Sequence, residues 1–483
     1  MPGDFTGTAR LYDCELGLLT DFYQLTMAAG YVKHGMAEQE SVFHLFFRRP
    51  PFGSSFAVAC GTADIPTLIE RMTFSEADLA YLRDQKGRDE RPLFDEAFLR
   101  YLSNLNWSVS VDAIPEGTIT LGLEPIVRVR GPLLQCQLLE TALLTVVNFQ
   151  TLIATKAARV CRAARGKPVV EFGLRRAQGL DGGLSASRAA YIGGCYGTSN
   201  VLAGRLFGIP IRGTHAHSWV MAHESEEEAF RRYANTMPGN TVLLVDTYNT
   251  RIGVERAVRI AKEMKTRGQS MAGVRLDSGD LLSLAKMTRQ LLNDNGLSDV
   301  KIFASNDLDE QEIARLEQAG SAIDVYAVGT RLVTAADQPA LGGVYKLSAI
   351  RQKPSVDNGD WEFKLKRSEE RYKSSLPGIL DTRRYLTPDT KEWLRDEITH
   401  TLAASAPKRE QFESATLLEP LMHNGKATLN GDSSIETARN RLQNQLTMFR
   451  KHEAMFDRPN IVMAELSQEV VDLREKLLAE TNT

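Results

Sequence analysis

The sequence lacks the features that mark a secreted, membrane-spanning or nucleic-acid-binding chain. Five cysteines occur in 483 residues: Cys14, Cys60, Cys136, Cys161 and Cys195. They lie far apart, form no CxxC pair and are odd in number, which argues against a disulfide framework and suits a reducing cytosol. No segment approaches about 18 consecutive apolar residues, the length a membrane span needs. The opening stretch, MPGDFTGTARLYDCELGLLTDFYQL, places acids early and has no unbroken apolar run, unlike a signal peptide. A charge surplus is missing as well, because 58 Lys and Arg against 61 Asp and Glu leave −3. Without a basic excess, neither a nucleic acid nor a membrane surface is an expected partner, and a cytoplasmic location is predicted.

What remains is ordinary globular usage, 43% hydrophobic and 25% charged. A chain of this length has a large core and predicts about two domains. From Ser41 to Val58, SVFHLFFRRPPFGSSFAV reads as two strands around a Pro-Pro-Phe-Gly turn, a hairpin-like unit. Helices are predicted near Pro66–Met72 and Ser75–Gln85, then short strands at Gly117–Gly122 and Pro125–Arg130. From Leu133 the run LLQCQLLETALLTVVNFQTLIATKAARVCRAA contains no Gly or Pro and predicts one long buried helix, near which a domain boundary is placed.

Beyond Lys167 six branched runs alternate with helical patterns: PVVEFG, IPIRGTH, TVLLVDT, AGVRLDS, VKIFASN and IDVYAVGT. The last four start 31, 28 and 23 residues apart, the size of one βα unit. This predicts an α/β fold with a parallel sheet, either wound open or an irregular, incomplete barrel, since six strands are counted and not eight. After Tyr345 the alternation stops in a charged, turn-rich segment that includes KLKRSEERYKSS, Lys364 to Ser375. Two helical stretches follow, Ser433–Phe456 and Met463–Glu480.

In parallel α/β architectures the carboxyl ends of the strands form the ligand face. Reading those ends gives Arg175 and Arg176, then Thr214, His215 and His217, then Asp246, then Arg275, Asp277 and Asp280, then Ser305 and Asn306, and finally Gly329 and Thr330. Arginines suit phosphate or carboxylate, aspartates suit Mg²⁺ or a ribose diol, and small loops offer backbone N–H groups to phosphate. A phosphorylated sugar fits this set best. LDSGD could hold Mg²⁺ through Asp277 and Asp280, or could simply cap a helix. The HxH pair His215 and His217, read as side chains on one face of a strand end, carries a rival expectation of a metal-dependent hydrolase.

In their order, TDFYQLTMAAGY, VVEFGLRRAQG, GTHAHSWVMAH, LVDTYNT, GVRLDSGDL, ASNDLDE, VGTRLVT and LGGVYKL resemble the nicotinate phosphoribosyltransferase family over nearly the whole chain, including the terminal PNIVMAELSQEVVDL. The resemblance implies an irregular α/β barrel, placed at 136–345, and an α/β domain formed by both chain ends, 1–135 and 346–483. It implies that nicotinate and 5-phosphoribosyl 1-diphosphate give nicotinate mononucleotide and diphosphate, the first step of NAD salvage from nicotinate. It further implies ATP hydrolysis coupled through a phosphohistidine, Mg²⁺ as cofactor and a homodimer as the assembly. By motif, His217 is the phosphorylated residue, Tyr23, Thr214 and Arg275 meet nicotinate, and Thr330 meets phosphoribosyl diphosphate. Asp277 or Asp280 is a candidate to steady positive charge on the ribose. Gly329, Ser305, Asn306 and Arg175 are secondary binding candidates. Nicotinamide and quinolinate phosphoribosyltransferases are the near alternatives, disfavoured by GTHAHS and the tyrosine motif, and a silent sugar-phosphate-binding protein is the non-enzymatic one.

Overall fold

The computed structural model describes residues 14–352, 361–366, 375–402, 412–428 and 434–480. Most of the basic segment from Lys364 to Ser375 falls outside these residues. The chain divides into two compact units, one of residues up to Thr155 together with those from Ala340 onward, the other Lys156–Pro339.

In the first unit the two chain ends share one antiparallel seven-stranded sheet, in the order Glu362–Phe363, Gly343–Arg351, Glu40–Phe47, Val127–Pro132, Ser110–Ala113, Glu419–His423 and Lys426–Ala427. The strand ESVFHLFF is almost wholly buried, which is why it reads as a run of apolar residues and not as an alternation. Its Phe43 stacks on Tyr345 of the neighbouring strand, ring centroids 4.9 Å apart. The expected hairpin between Ser41 and Val58 does not form. Glu40–Phe47 pairs with Gly343–Arg351 and Val127–Pro132, whereas Ala57–Val58 pairs with Ile119–Thr120 in a separate ribbon. The long run from Leu133 is likewise two helices, Leu133–Leu138 and Glu140–Ala163, meeting at Leu139, whose ψ is −13°. Every residue of the first piece is buried, so packing on all sides, and not local propensity, sets its direction.

The second unit is built on six parallel strands: β1 (Val169–Glu171), β2 (Gly197–Thr198), β3 (Val242–Leu244), β4 (Gly273–Leu276), β5 (Lys301–Ala304) and β6 (Val325–Val328). They lie in the order β2-β1-β6-β5-β4-β3. Helices at Gly179–Ile192, Thr250–Thr266, Leu281–Asp294 and Glu310–Gln318 follow four of them, giving the expected βα alternation. Among the described residues no strand joins β2 to β3, so the sheet does not close. IPIRGTH is not a strand. Its place is taken by β2, against which Ile211 makes a single bridge to Thr198. Pro210 has no N–H to extend a ladder, and its carbonyl and the Arg212 N–H are the backbone groups that engage Thr198.

Candidate active site

The strand ends of the second unit bring the polar residues together around one guanidinium. Arg275, third residue of β4, is only 9% exposed, so its charge needs partners. Its Nε donates to Ser305 Oγ at 2.8 Å, Nη1 to Thr214 Oγ1 at 2.9 Å and Nη2 to Asp277 Oδ1 at 2.8 Å. The guanidinium also sits over the ring of Phe172, 5.6 Å from its centroid, just past the end of β1. Three of five N–H donors are engaged, which leaves one on each terminal nitrogen for a further acceptor.

Asp277 connects this cation to the histidine. Its Oδ1 also accepts from Ser305 Oγ, and its Oδ2 lies 3.7 Å from His217 Nε2. Burial pushes the Asp277 carboxyl up, but the Arg275 charge, the hydrogen bonds from Ser305 and Arg275, and His217 together outweigh it and hold the group below the usual carboxylate range. The Asp277 N–H and the Ser278 hydroxyl both donate to Asp246 Oδ2, at 2.9 and 2.6 Å. Asp246 thereby fixes the LDSGD loop, while its own Oδ1 is buried and has no hydrogen-bond partner.

His217 opens the short helix His217–Met221 and keeps a side-chain exposure of 41%. Its Nδ1 lies 3.1 Å from Thr247 Oγ1, leaving Nε2 toward Asp277. Thr247 and Phe172 were not singled out from the sequence. Both directly follow strand-end residues, and VDT and EFG are where a search one residue further along would have met them. The HxH reading of a shared strand face is overturned, because GTHAH is loop followed by helix. The His215 ring packs 4.8 Å from that of Tyr233, centroid to centroid. Its Nε2 accepts the Leu244 N–H at 3.1 Å. Among the described residues no three His, Cys, Asp or Glu side chains converge as a metal cluster.

Among the described residues, the other candidates of the second unit form no hydrogen bond to this network. Asp280 is the N-cap of the helix Leu281–Asp294, accepting the Leu282 N–H at 3.3 Å and the Ser283 hydroxyl at 2.5 Å. The capping use of the second LDSGD carboxylate is thus observed, with lone pairs to spare. Asp280 and Asn306 line one open polar cleft with Asp307, Asp309, Arg315 and Arg331. Asn306 and Asp307 both have positive φ, 106° and 43°, a strained turn of the kind that concentrates at ligand sites. Gly329 packs against the Phe172 carbonyl, and a Cβ there would lie 3.3 Å from that oxygen. Thr330 and Arg175 are exposed at the ends of β6 and β1. Tyr23 belongs to the first unit, on the helix Phe22–Lys33, and is 47% exposed.

Comparison with known proteins then fixes the family. The model described as the nicotinate phosphoribosyltransferase N-terminal domain matches residues 18–148, and that of the nicotinate phosphoribosyltransferase family matches residues 168–364. The nicotinate phosphoribosyltransferase of Bacillus subtilis (strain 168) is 45% identical over 367 residues, 76% of this chain and 72% of its own length. The chain belongs to the nicotinate phosphoribosyltransferase family. The Homo sapiens nicotinate phosphoribosyltransferase is 38% identical over 428 residues, 77% of each chain. The crystal structure of human nicotinic acid phosphoribosyltransferase superposes with a TM-score of 0.79 at 31% identity, covering 95% of this chain and 99% of that one. A nicotinate-nucleotide pyrophosphorylase from Pyrococcus furiosus shares the fold, with a TM-score of 0.68 at 22% identity. As a member of the nicotinate phosphoribosyltransferase family the chain is an enzyme of NAD biosynthesis. Its mixed α/β architecture agrees with the sequence expectation, with one unit on an open parallel sheet and the other drawn from both chain ends.

Proposed function

We propose that the chain transfers a phosphoribosyl group to nicotinate and couples the transfer to ATP through His217. The observation that carries this reading is the guanidinium of Arg275, held by Thr214, Ser305 and Asp277 with an N–H left on each terminal nitrogen. A planar fork of this kind suits the carboxylate of nicotinate, whereas the amide of nicotinamide would leave it without a charge partner. The pyridine nitrogen contributes its lone pair to ribose C1 as the C1–O bond breaks, and diphosphate departs with that electron pair. Positive charge develops on the ribose, and Asp277 is the carboxylate nearest to the site cation that can offset it.

For the coupling, an unprotonated ring nitrogen of His217 attacks the γ-phosphorus of ATP, the bond to the β-phosphate oxygen breaks, and ADP leaves. Water later hydrolyses the phosphoramidate to phosphate and free histidine. Phosphorylation adds negative charge beside Asp277, a local electrostatic change that can alter diphosphate binding. For Mg²⁺ the residues offer a pair and not a cluster: Asp246 Oδ1 is a buried oxygen without a hydrogen-bond partner, and Asp277, whose N–H binds the other oxygen of Asp246, is the carboxylate next to it, so these two would hold the ion, whereas Asp280 is engaged as a helix cap. When bound, the ion neutralises the leaving diphosphate. Tyr23 as a nicotinate contact and Thr330, Gly329, Arg175 and Asn306 as phosphate contacts belong to the same proposal, as do a homodimer and a cytoplasmic location. Among the described residues no cysteine is in a disulfide, and no helix is long and apolar enough to cross a membrane.

The hydrolase reading loses support from the donor geometry, since His215 spends Nε2 on a backbone N–H. The test is mononucleotide formation from phosphoribosyl diphosphate and Mg²⁺ with nicotinate, nicotinamide or quinolinate, with and without ATP. Product from nicotinate, raised by ATP, is expected; product from nicotinamide or quinolinate alone would sink the assignment. Labelled γ-phosphate is expected on the wild type in acid-labile form and absent from His217→Ala.

A further inference from the structure

GTHAH holds two histidines, and the reaction proposed above uses one. The other sits where the sheet fails to close. Along β3, the edge strand, the Gly273 N–H donates to Thr241 O and the Val245 N–H to Arg275 O, so the backbone of Thr241 and Val245 faces β4. Leu244, out of phase with these, presents its N–H to the open side, and it is 1% exposed. A buried backbone N–H requires an acceptor. In a closed barrel the next strand would supply it. Here the acceptor is the imidazole Nε2 of His215, at 3.1 Å.

The same short segment holds the opposite edge of the sheet. The Thr198 N–H donates to Pro210 O at 3.1 Å and the Arg212 N–H to Thr198 O at 2.9 Å. Residues 210–215 therefore run from β2 to β3 across the opening, with backbone bonds at one end and a side-chain bond at the other. The ring is fixed in the tautomer this needs. Nδ1 lies 3.2 Å from Ala216 O, which only accepts, so Nδ1 carries the hydrogen and Nε2 the lone pair. Burial, opposed by the Ala216 carbonyl and reinforced by Arg275 and His217, holds the imidazole down to about 4, so it is neutral at physiological pH. Phe230 and Tyr233 of the helix Glu226–Thr236 lie against it, with ring centroids 6.1 and 4.8 Å away.

The two neighbours of this anchor are the residues whose placement matters. Thr214 precedes it and receives Arg275 Nη1, and His217 follows two residues on, next to Thr247. We propose that His215 is a positioning residue: its neutral imidazole bridges the open edge of the sheet to the GTHAH loop, and so holds Thr214 on the nicotinate-binding arginine and His217 in its phosphorylation position. It touches no substrate. The inference rests on the nicotinate reading above.

Two variants and one wild-type measurement test it. His215→Phe keeps a ring for Phe230 and Tyr233 but has no acceptor for the Leu244 N–H, whereas His215→Gln can bring an amide oxygen to the Nε2 position. For His215→Phe, KM for nicotinate is expected to rise at least tenfold and the ATP hydrolysed per mononucleotide formed to rise severalfold, with KM for phosphoribosyl diphosphate within threefold of wild type. His215→Gln should restore both quantities to within about threefold. If His215→Phe keeps the wild-type nicotinate KM and coupling ratio, or if His215→Gln is no better than His215→Phe, the proposal is overturned. Should His215→Phe fail to fold, nitrogen NMR of histidine-labelled wild type decides, with the His215 signals assigned by their loss in His215→Gln. A neutral ring protonated on Nδ1 at pH 7 supports the proposal, and protonation on Nε2 overturns it. Wild type that makes no mononucleotide from nicotinate would instead refute the underlying reading, which separates the two failures.

Discussion

Replacing Arg275 by lysine keeps the charge of the site and removes its shape. The guanidinium donates in three directions, to Ser305, Thr214 and Asp277, and an ammonium on a shorter plane of approach can keep one of them, the charged Asp277. Two hydrogen bonds with a charged donor are then lost, each worth about 1.5–3 kcal/mol. The side chains of Arg275 and Asp277 are 11% and 26% exposed, so water relieves part of the loss, and a net cost of about 2–3 kcal/mol is expected. In a unit of this size that lowers Tm by roughly 4–12 °C. The effect on recognition should be larger than on folding, because the carboxylate of nicotinate would lose a two-pronged partner. A loss of about 3–4 kcal/mol in transition-state binding corresponds to a fall in kcat/KM for nicotinate of roughly two to three orders of magnitude. The assay is steady-state mononucleotide formation at a temperature where near-ultraviolet circular dichroism shows the variant folded, with each substrate varied in turn. KM for phosphoribosyl diphosphate should move less than about threefold, since no phosphate contact is assigned to this side chain. A nicotinate kcat/KM within threefold of wild type, or equal losses for both substrates, would refute the role given to Arg275.

Further outcomes follow from single contacts. Thr247→Val removes the hydroxyl beside His217 Nδ1 and should slow γ-phosphate labelling about tenfold, the worth of roughly one hydrogen bond; unchanged labelling in rapid-quench experiments would contradict this. Gly253→Ala should destabilise the second unit by about 2–4 kcal/mol in urea titration, because a Cβ there would lie 2.0 Å from the Val245 carbonyl, where the helix Thr250–Thr266 meets the end of β3. A variant as stable as wild type would mean that helix and strand can separate freely. His44 is fully buried, accepts the Leu380 N–H on Nε2, and is driven down to about 3 by burial and by Arg128. Its unfolded form takes up a proton below about 6.5 and its folded form does not, so stability should be full above about pH 6.5 and decline toward pH 4. His215, at about 4, acts with the same sign. A urea midpoint that rises as pH falls from 7 to 5 would exclude this.

The legible parts of the molecule were those written in local pattern. Short branched runs spaced by helical stretches gave the parallel strands, and five of the six predicted runs contain the observed strands β1 and β3–β6. The sixth, IPIRGTH, was misplaced because Gly197–Thr198 is too short to carry a pattern and is a strand only by virtue of lying beside β1. The false hairpin at Ser41–Val58 had the right strands and the wrong partners. Glu40–Phe47 finds its neighbour some three hundred residues further along, at Gly343–Arg351, and no nearby turn signal can report a pairing of that range.

At the site, residue types at strand ends singled out Arg275, Asp277 and Ser305 before their contacts were known, because parallel strands must deliver their carboxyl-end residues to one face, whereas Thr214 and His217 were singled out on a run that proves to be loop and helix. That much the sequence determined alone. The tertiary structure decided how the members divide the work. Two histidines two residues apart look equivalent in the chain, yet one faces Asp277 and Thr247 while the other accepts a backbone N–H from the edge of an open sheet. Two aspartates of LDSGD likewise part, Asp277 to the cation and Asp280 to a helix cap. Their roles differ because a side chain's chemistry depends on which donors and charges folding brings within hydrogen-bond distance, and those come from strands that only the three-dimensional arrangement makes neighbours.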